Sequence, residues 1–205
     1  MEYVTRADLR AVFLHGVAVL PHPTDSVGGL VGGLFDNHPR ILTGIVMGPV
    51  RIGVDRREHA PGDTAGGWED VVEVSCRAVK TVAVVTGPWA ESPGVEFAIN
   101  PPGPGWFRLR VHARNRDLEF DGVASGPHEE YLLVTWPADP AAPAVLSAGS
   151  ALAQSMAAQS LVPIPPTRPS TVARAAGFTE SAADAALRAE AQANLLRIAR
   201  WRSQP

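Results

Sequence analysis

The chain has 205 residues, 45% of them hydrophobic, so it is long enough to bury one sizeable core and carry an appendage. A single cysteine, Cys76, excludes an intramolecular disulfide and fits a reducing compartment. No basic segment followed by an apolar run opens the chain, and no stretch approaches the ~18 apolar residues of a membrane span. The sequence therefore predicts a cytoplasmic protein without membrane contact.

The net charge of −3 is unevenly distributed along the chain. Residues 1–162 hold 12 basic and 18 acidic side chains, whereas residues 163–205 hold six arginines and three acids. An acidic body with a basic tail bears on partners and solubility rather than on fold.

Short β-strands are predicted along the first two thirds of the chain, because β-branched runs alternate there with turn residues. The 38 glycines and prolines suit short strands joined by turns. The predicted strands are 11–20, 41–55, 71–78, 80–86, 94–100, 106–116 and 129–137. Residues 71–86 are expected to form a hairpin that turns near Val79 and Lys80. The sequence thus predicts a mainly β protein, an antiparallel β-sandwich with a C-terminal helical extension.

The composition changes near Pro143, which gives the predicted domain plan. A β-sandwich over residues 8–143 is followed by an alanine-rich helix over 144–161 that packs on or beside it. Four prolines make 162–169 a stiff linker. The last part, 170–203, is predicted to be helical, with an apolar stripe at helical spacing that includes Leu187, Leu195, Ile198 and Trp201.

The stretch GGWEDVVEVSCR (66–77) raises the question of acid–base chemistry, because it carries Glu69, Asp70 and Glu73. A strand explains it more simply, since the period of two places Val72, Val74 and Cys76 on one face and leaves Glu73 on a wet face. We therefore predict no catalytic role for these acids.

Other candidate motifs fail on spacing. The glycine-rich segment 28–36 lacks the lysine of a phosphate-binding loop and the G-x-G-x-x-G pattern, and GVASG (122–126) places its serine one residue late for a nucleophile elbow. His22, Asp25 and His38 are the best metal candidates, but they lack ligand spacing. We predict no enzyme, no cofactor and no metal site.

Three signatures carry a resemblance: GWEDVVEVS, WFRLRVHARNRD and EEYLLVTWPADPAAPAVL, together within residues 67–146. Their order resembles a group of actinobacterial β-sandwich proteins, and the recurring residues are Trp68, Arg108, Arg110, Tyr131, Trp136 and Pro137. More distantly, the arrangement is similar to the competence nuclease inhibitor family, small β-sandwich proteins that neutralise a partner nuclease. The resemblance implies a sandwich that binds protein and supplies no catalytic residues.

The leading functional prediction is a non-enzymatic protein-binding module, an inhibitor or immunity-type protein that neutralises a basic toxin or nuclease. An acidic face can occupy a phosphate-binding groove by complementary charge. The acids expected to contact the partner are Glu69, Asp70, Glu73, Glu129 and Glu130.

Three alternatives stay open. A structural protein would oligomerise through the C-terminal helix, using Leu187, Leu195, Ile198 and Trp201. A DNA-associated regulator would use the tail, where TVARAAGFTESAADAAL is similar to half of a helix-turn-helix, although Glu180 and Asp184 would then face phosphates. A sandwich can also hold a small-molecule pocket built from residues that no spacing rule links.

Overall fold

The computed structural model describes residues 1–22, 24–34, 37–62, 66–89, 93–102 and 105–159, with side chains described to residue 156. Within them the protein is mainly β, as predicted, and its two sheets pack against each other. The strands in chain order are β1 Glu2–Ala7, β2 Ala11–His15, β3 Val17–Val19, β4 Ser26–Val27, β5 Val31–Gly32, β6 Arg40–Leu42, β7 Gly48–Arg56, β8 Asp70–Ala78, β9 Val84–Thr86, β10 Trp106–Arg114, β11 Glu130–Pro137 and β12 Ala144–Ala148. One helix, α1 (Ala151–Gln159), follows.

The larger sheet has the strand order β1-β7-β11-β10-β8-β12, and β3 also pairs with β8. The smaller sheet has the order β4-β5-β6-β2-β9. Most neighbouring strands are antiparallel, but β7 and β11 are parallel, so that Ile52 lies opposite Tyr131. The larger sheet is therefore mixed rather than purely antiparallel.

The core lies between the sheets and follows the alternation seen in the sequence. In β10, Phe107, Leu109, Val111 and Ala113 all point into it and are buried. The facing sheet contributes Val12, Leu14, Val31 and Ile41 among others. Branched residues at every second position form one apolar face because successive side chains of a strand point to opposite sides.

The predicted hairpin over 71–86 is wrong, because β8 and β9 belong to different sheets. Residues 79–83 carry the chain from one sheet to the other. The Val79 N–H donates to the Gly16 carbonyl at 2.9 Å, and the Ala83 carbonyl accepts from the Ile99 N–H at 2.8 Å. Contacts with residues distant in the sequence thus replace the local pairing.

Other boundaries also differ from the sequence predictions. The larger sheet begins at Glu2 rather than at residue 8, because β1 pairs with β7. The predicted strand over 94–100 is a short 3-10 turn at Val95–Phe97. The predicted strand over 11–20 is divided at Gly16, whose φ of 79° an extended strand does not allow.

The predicted helix over 144–161 starts later than expected. Residues 144–148 form β12, in which Val145 lies opposite Val72 of β8, and α1 begins at Ala151. Pairing with an existing strand edge outweighs the helical preference of this alanine-rich segment. The predicted linker 162–169 and the predicted helical tail 170–203 lie outside the described residues.

Helix α1 packs against the loop between β4 and β5. It passes over Gly29, where a Cβ atom would lie 2.8 Å from the Met156 Cβ, so only glycine allows this approach. Within the described residues, no helix has both the length and the apolar character that crossing a bilayer requires.

A buried ion pair fixes the start of α1 to the larger sheet. Arg116 Nη1 lies 2.7 Å from Asp70 Oδ2, and both side chains are fully buried. Asp70 also accepts hydrogen bonds from the Ser150 hydroxyl and N–H, at 2.6 and 3.0 Å, and Arg116 donates to the Gly29 carbonyl at 2.6 Å. The pair therefore joins β8, the end of β10, the β4–β5 loop and the helix.

Replacing Arg116 should be strongly destabilising. In Arg116→Met the Asp70 carboxylate stays buried without a counter-charge, which should lower the free energy of unfolding by about 3–5 kcal/mol. The exposed pair of Arg57 with Asp55 provides the control, since Arg57→Met should cost no more than about 1 kcal/mol. Urea unfolding of both variants at neutral pH measures the difference, and equal losses would contradict the role given to the buried pair.

Candidate functional site

Two of the five acids predicted to bind a partner lie inside the molecule. Asp70 is fully buried in its ion pair, and Glu129 is 2% exposed. Glu129 accepts hydrogen bonds from the Tyr131 hydroxyl at 2.5 Å and from the Ile45 N–H at 2.7 Å. Burial raises the pKa of the Glu129 carboxyl, although these hydrogen bonds oppose the shift. Asp70 and Glu129 are therefore not exposed on the surface of the described structure, and their contact with a partner stays an untested prediction.

Glu73 lies on the outer face of the larger sheet, where the sequence predicted contact with water. It is instead held by two arginines, 3.1 Å from Arg108 Nη2 and 2.7 Å from Arg110 Nε. Loop carbonyls cover these arginines, since Arg108 donates to Ala141 and Ala142 and Arg110 donates to Gly62. The face that was predicted to be solvated is thus a covered ion-pair network, in which Glu73 neutralises the charges of Arg108 and Arg110.

The remaining two acids reach the surface but have partners there. Glu69 is exposed, and one of its carboxylate oxygens accepts the Asn115 N–H at 2.9 Å. Glu130 is partly buried and forms an ion pair with Arg114. The five acids do not form one exposed patch.

The metal candidates also have other roles. His22 Nδ1 lies 2.8 Å from the Thr24 hydroxyl, and Asp25 forms an ion pair with Arg40 at 2.9 Å. Among the described residues, no group of three histidine, cysteine or acidic side chains is placed to hold a metal ion.

Cys76 is fully buried, and burial raises its pKa to about 12.

His112 is a buried titratable group on the covered face. It is 3% exposed, its ring centroid lies 5.5 Å from that of Trp68, and its Nδ1 has no hydrogen-bond partner within the described residues. Its pKa is lowered to about 4, first by burial and then by the charges of Arg110 and Arg57, which Glu73 opposes. His112 is therefore neutral at physiological pH and serves as a packing residue.

The turn between β1 and β2 forms part of another exposed surface. The two-residue turn is closed by hydrogen bonds of 3.1 and 3.0 Å between the main-chain groups of Asp8 and Ala11. Its central residues, Leu9 and Arg10, have φ values of 52° and 61°, which usually require glycine or asparagine. Leu9 is 79% exposed. The fold thus holds a large apolar side chain in solvent on a strained turn.

A second segment, residues 117–124, lies against this turn. The Arg10 guanidinium stacks 4.8 Å from the Phe120 ring centroid and forms an ion pair with Asp121. The segment is fixed to the chain beside the turn, because the Val46 N–H donates to the Gly122 carbonyl at 2.8 Å. The Arg10 N–H in turn donates to the Val46 carbonyl. Turn and segment therefore form one surface.

Trp89 extends this surface on the other side of the turn, since its indole N–H donates to Asp8 at 3.0 Å while 86% of the residue is exposed. We name as the apolar end surface the five exposed large apolar residues that the turn, the Trp89 position and the segment 117–124 carry: Leu9, Trp89, Leu118, Phe120 and Val123. Single exposed apolar residues are ordinary, but a cluster of large ones at one end of a protein indicates an interaction site.

A groove adjoins the apolar end surface at Val123. It has a volume of about 620 Å³ and is open to solvent, and its lining is partly apolar and partly polar: Tyr3, Val4, Thr5, Arg6, Pro49, Pro93, Phe97, Ala124 and Ser125. The Tyr3 and Phe97 rings pack with centroids 4.7 Å apart. The groove is wide enough for one or two bulky apolar side chains of a partner.

Acidic groups surround the apolar end surface. Asp8, Asp117, Glu119 and Asp121 lie on its two segments, whereas Arg10 is the basic residue among positions 8–11 and 117–124, and it is paired with Asp121. The local charge is therefore negative. Sequence reasoning missed this surface because Leu9-Arg10 carries no turn signature and residues 117–124 contain no motif.

Relieving the strain of the turn should stabilise the protein. Leu9→Asn places a residue that tolerates positive φ at the same position, and we expect the free energy of unfolding to rise by about 0.5–1 kcal/mol. Leu9→Ala is the matched control, because it removes the exposed side chain but keeps a Cβ at positive φ. Thermal and urea unfolding measure the stability of both variants. An equal rise in the free energy of unfolding of Leu9→Ala would show that the exposed side chain, rather than backbone strain, destabilises the turn.

The low pKa of His112 predicts acid sensitivity. Between pH 6.5 and about 4 the unfolded chain binds a proton at this residue that the folded chain does not, so this contribution to stability is present above pH 6.5 and is lost as the pH falls. In His112→Phe the urea midpoint should therefore fall less between pH 7 and pH 5 than in the unsubstituted protein. If the urea midpoints of the two proteins fell equally with pH, His112 would bind its proton equally well in the folded and unfolded states, which would contradict the prediction.

No protein-family model matches the sequence, and comparison with curated proteins gives no match. Among solved structures, the chain is similar to a protein described as Crocagin biosynthetic gene J, with 13% sequence identity and a TM-score of 0.41 over 67% of this chain and 96% of that chain. A similarity of this level transfers neither a site nor an activity. The resemblance to actinobacterial sandwich proteins and to competence nuclease inhibitors stays a prediction.

Proposed function

We propose that this protein is a non-enzymatic, cytosolic binding module that docks a protein partner through the apolar end surface and the adjoining groove. The observation that carries the proposal is the exposure of Leu9, Trp89 and Phe120 on and beside one strained turn. Binding energy in protein interfaces is concentrated in a few large side chains that lose all contact with water. These three residues are suited to that role.

The strained turn supports a binding role for this end of the molecule. Two consecutive residues at positive φ cost stability, and such strain is concentrated at functional sites in known proteins. The turn also preorganises Leu9, because closing hydrogen bonds and the Arg10 contacts with Phe120 and Asp121 fix its backbone. A preorganised contact residue loses little conformational entropy when it binds.

The charge around the surface defines the class of partner. Asp8 and Asp117 already bond groups of their own chain, so their charge favours a basic partner by long-range attraction rather than by direct pairing. An inhibitor of a basic toxin or nuclease fits this description, but it would act through the end of the sandwich instead of through Asp70, Glu73 and Glu129. Those three acids serve the protein's own arginines or its core.

A pull-down with three bait proteins tests the proposed surface. The unsubstituted protein, a Leu9→Asp/Phe120→Asp variant and a Val145→Asp/Leu146→Asp control are incubated with lysate of the source organism, and bound proteins are identified by mass spectrometry. Val145 and Leu146 are half-exposed apolar residues of β12, so the control matches the chemistry at a different place.

We expect one basic protein to be retained by the unsubstituted bait and by the control but lost from the variant. With that protein purified, the double substitution should weaken binding by at least about a hundredfold, since two interface anchors are lost. Capture of the same proteins by all three baits would refute the proposed surface, and loss of the interaction in the control alone would place it on β12.

A further inference from the structure

We infer that the groove beside β1 holds a short extended segment of the partner protein, which pairs with the main chain of Val4 and presents an acidic side chain to Arg6. This role of the groove rests on the proposed function, because it presupposes a protein partner. An open strand edge, a charge without a counter-charge and the shape of the groove together define the segment.

The free edge of β1 lies along the groove. β1 is the outermost strand of the larger sheet, and β7 is its neighbour there. The groove contacts four consecutive residues of β1, residues 3–6. Successive side chains of a strand point to opposite faces, so a groove that contacts all four must run along an edge of the strand. The other edge is occupied by β7.

The main-chain groups of Val4 point towards this free edge. Met1 and Val54 exchange hydrogen bonds of 3.1 and 2.8 Å, so every second residue of β1 from Met1 onward bonds to β7. Val4 falls between these residues, and the residue opposite it, Arg51, donates its N–H to the Glu129 carbonyl instead. Among the described residues no main-chain hydrogen bond to Val4 is found, so its N–H and carbonyl can pair with another chain.

The edge is open over a short stretch only, because the chain after β9 closes it at Arg6. A Cβ atom on Gly87 would lie 1.7 Å from the Arg6 carbonyl oxygen, which shows how closely the two main chains approach. A partner can therefore exchange one pair of main-chain hydrogen bonds at Val4 but cannot extend the sheet along the whole of β1. The groove thus selects a short extended segment rather than a full strand.

Arg6 provides the charge of the groove. It is the charged residue among the described ones that line the groove, and it is exposed. Its guanidinium has no ion pair or hydrogen bond within the described part of the chain, whereas Arg10 and Arg114 have acidic partners. A carboxylate of the bound segment supplies the counter-charge. A partner that is basic as a whole can present one acidic residue at this point.

The rest of the lining suits apolar side chains of a peptide. Phe97 packs on Tyr3 with ring centroids 4.7 Å apart, and Pro49 and Ala124 also line the groove. Because the groove is open, a small molecule would stay largely in solvent, whereas a polypeptide segment can pass through it. An unpaired main-chain donor and acceptor beside apolar walls is the arrangement by which sheet edges bind extended peptides.

Selection from a random peptide library tests the groove with the full chain. Short peptides displayed on phage are selected on the unsubstituted protein, and the most enriched one is synthesised with a fluorophore for anisotropy titration. Its affinity is then measured for Val4→Pro, Val4→Ala and Arg6→Gln. Proline removes the N–H that faces the groove and should be tolerated at an edge strand, which the urea midpoint checks. Alanine is the matched control, because it keeps the N–H.

We expect Val4→Pro to weaken peptide binding by at least about tenfold, because two main-chain hydrogen bonds are lost, and Val4→Ala to weaken it by no more than about threefold. Arg6→Gln should weaken it by about threefold to fivefold at low salt and less at high salt, because the ion pair is exposed. Exchange of the peptide's acidic residue for its amide should have the same effect, with no further loss when it is combined with Arg6→Gln.

N-methylation of the peptide tests the extended conformation. Two peptides are methylated at the odd or at the even positions. Successive N–H groups of a strand point to opposite sides, so one set should abolish binding and the other should be tolerated. If the proline variant does not fold, the methylated peptides and the Arg6→Gln measurements decide the outcome.

The inference would be overturned if no peptide were enriched, if Val4→Pro and Val4→Ala bound equally, if Arg6→Gln had no effect, or if both methylated peptides lost binding alike. Peptide binding that is lost in Leu9→Asp/Phe120→Asp but kept in Val4→Pro would also overturn it, since the apolar end surface would then hold the peptide. Peptide binding that depends on Val4 and Arg6, without selective capture of a partner by the three baits, would refute the proposed function alone. A captured partner that binds Val4→Pro as tightly as the unsubstituted protein would refute the role of the groove alone.

Discussion

The fold depends on one charge pair, because Asp70 and Arg116 lie where the structural parts meet. Removing two charges from water is costly, and the cost is offset only when both groups are fully hydrogen-bonded in a fixed geometry. Here the carboxylate also receives Ser150, and the guanidinium also reaches the Gly29 carbonyl. The larger sheet, a loop of the smaller sheet and α1 are thus all bonded to one buried charge pair, in which Arg116 Nε is the one buried nitrogen without a partner among the described residues.

In this protein several charged side chains are buried, whereas several large apolar side chains are exposed to solvent. Glu73, Arg108 and Arg110 neutralise one another under loop carbonyls, and Glu129 binds main-chain N–H groups of the core. Meanwhile Leu9 and Phe120 lie in solvent. A net charge counted along the sequence therefore says little about the surface here.

Much of the larger sheet could be predicted from the sequence, whereas the candidate site could not. The alternation of Phe107, Leu109 and Val111 is a local signal, because the period of two follows from strand geometry. The covering of Glu73 and the crossing of the chain between β8 and β9 are set by contacts with residues distant in the sequence, which no local pattern encodes. The Leu9-Arg10 turn contradicts its own local preference, and such exceptions are expected where function outweighs stability.

The parallel pairing of β7 with β11 has a consequence for the newly made chain. Residues 48–56 must wait for residues 130–137 before their second edge is paired, and the chain between them contains three further strands, β8 and β10 of the same sheet and β9 of the other. During synthesis, the β1–β7 pair therefore leaves the ribosome with an open, apolar edge. Pairing over such distances slows folding and exposes strands to association with other chains. The order of translation therefore leaves one edge of β7 unpaired until residue 137 has been made.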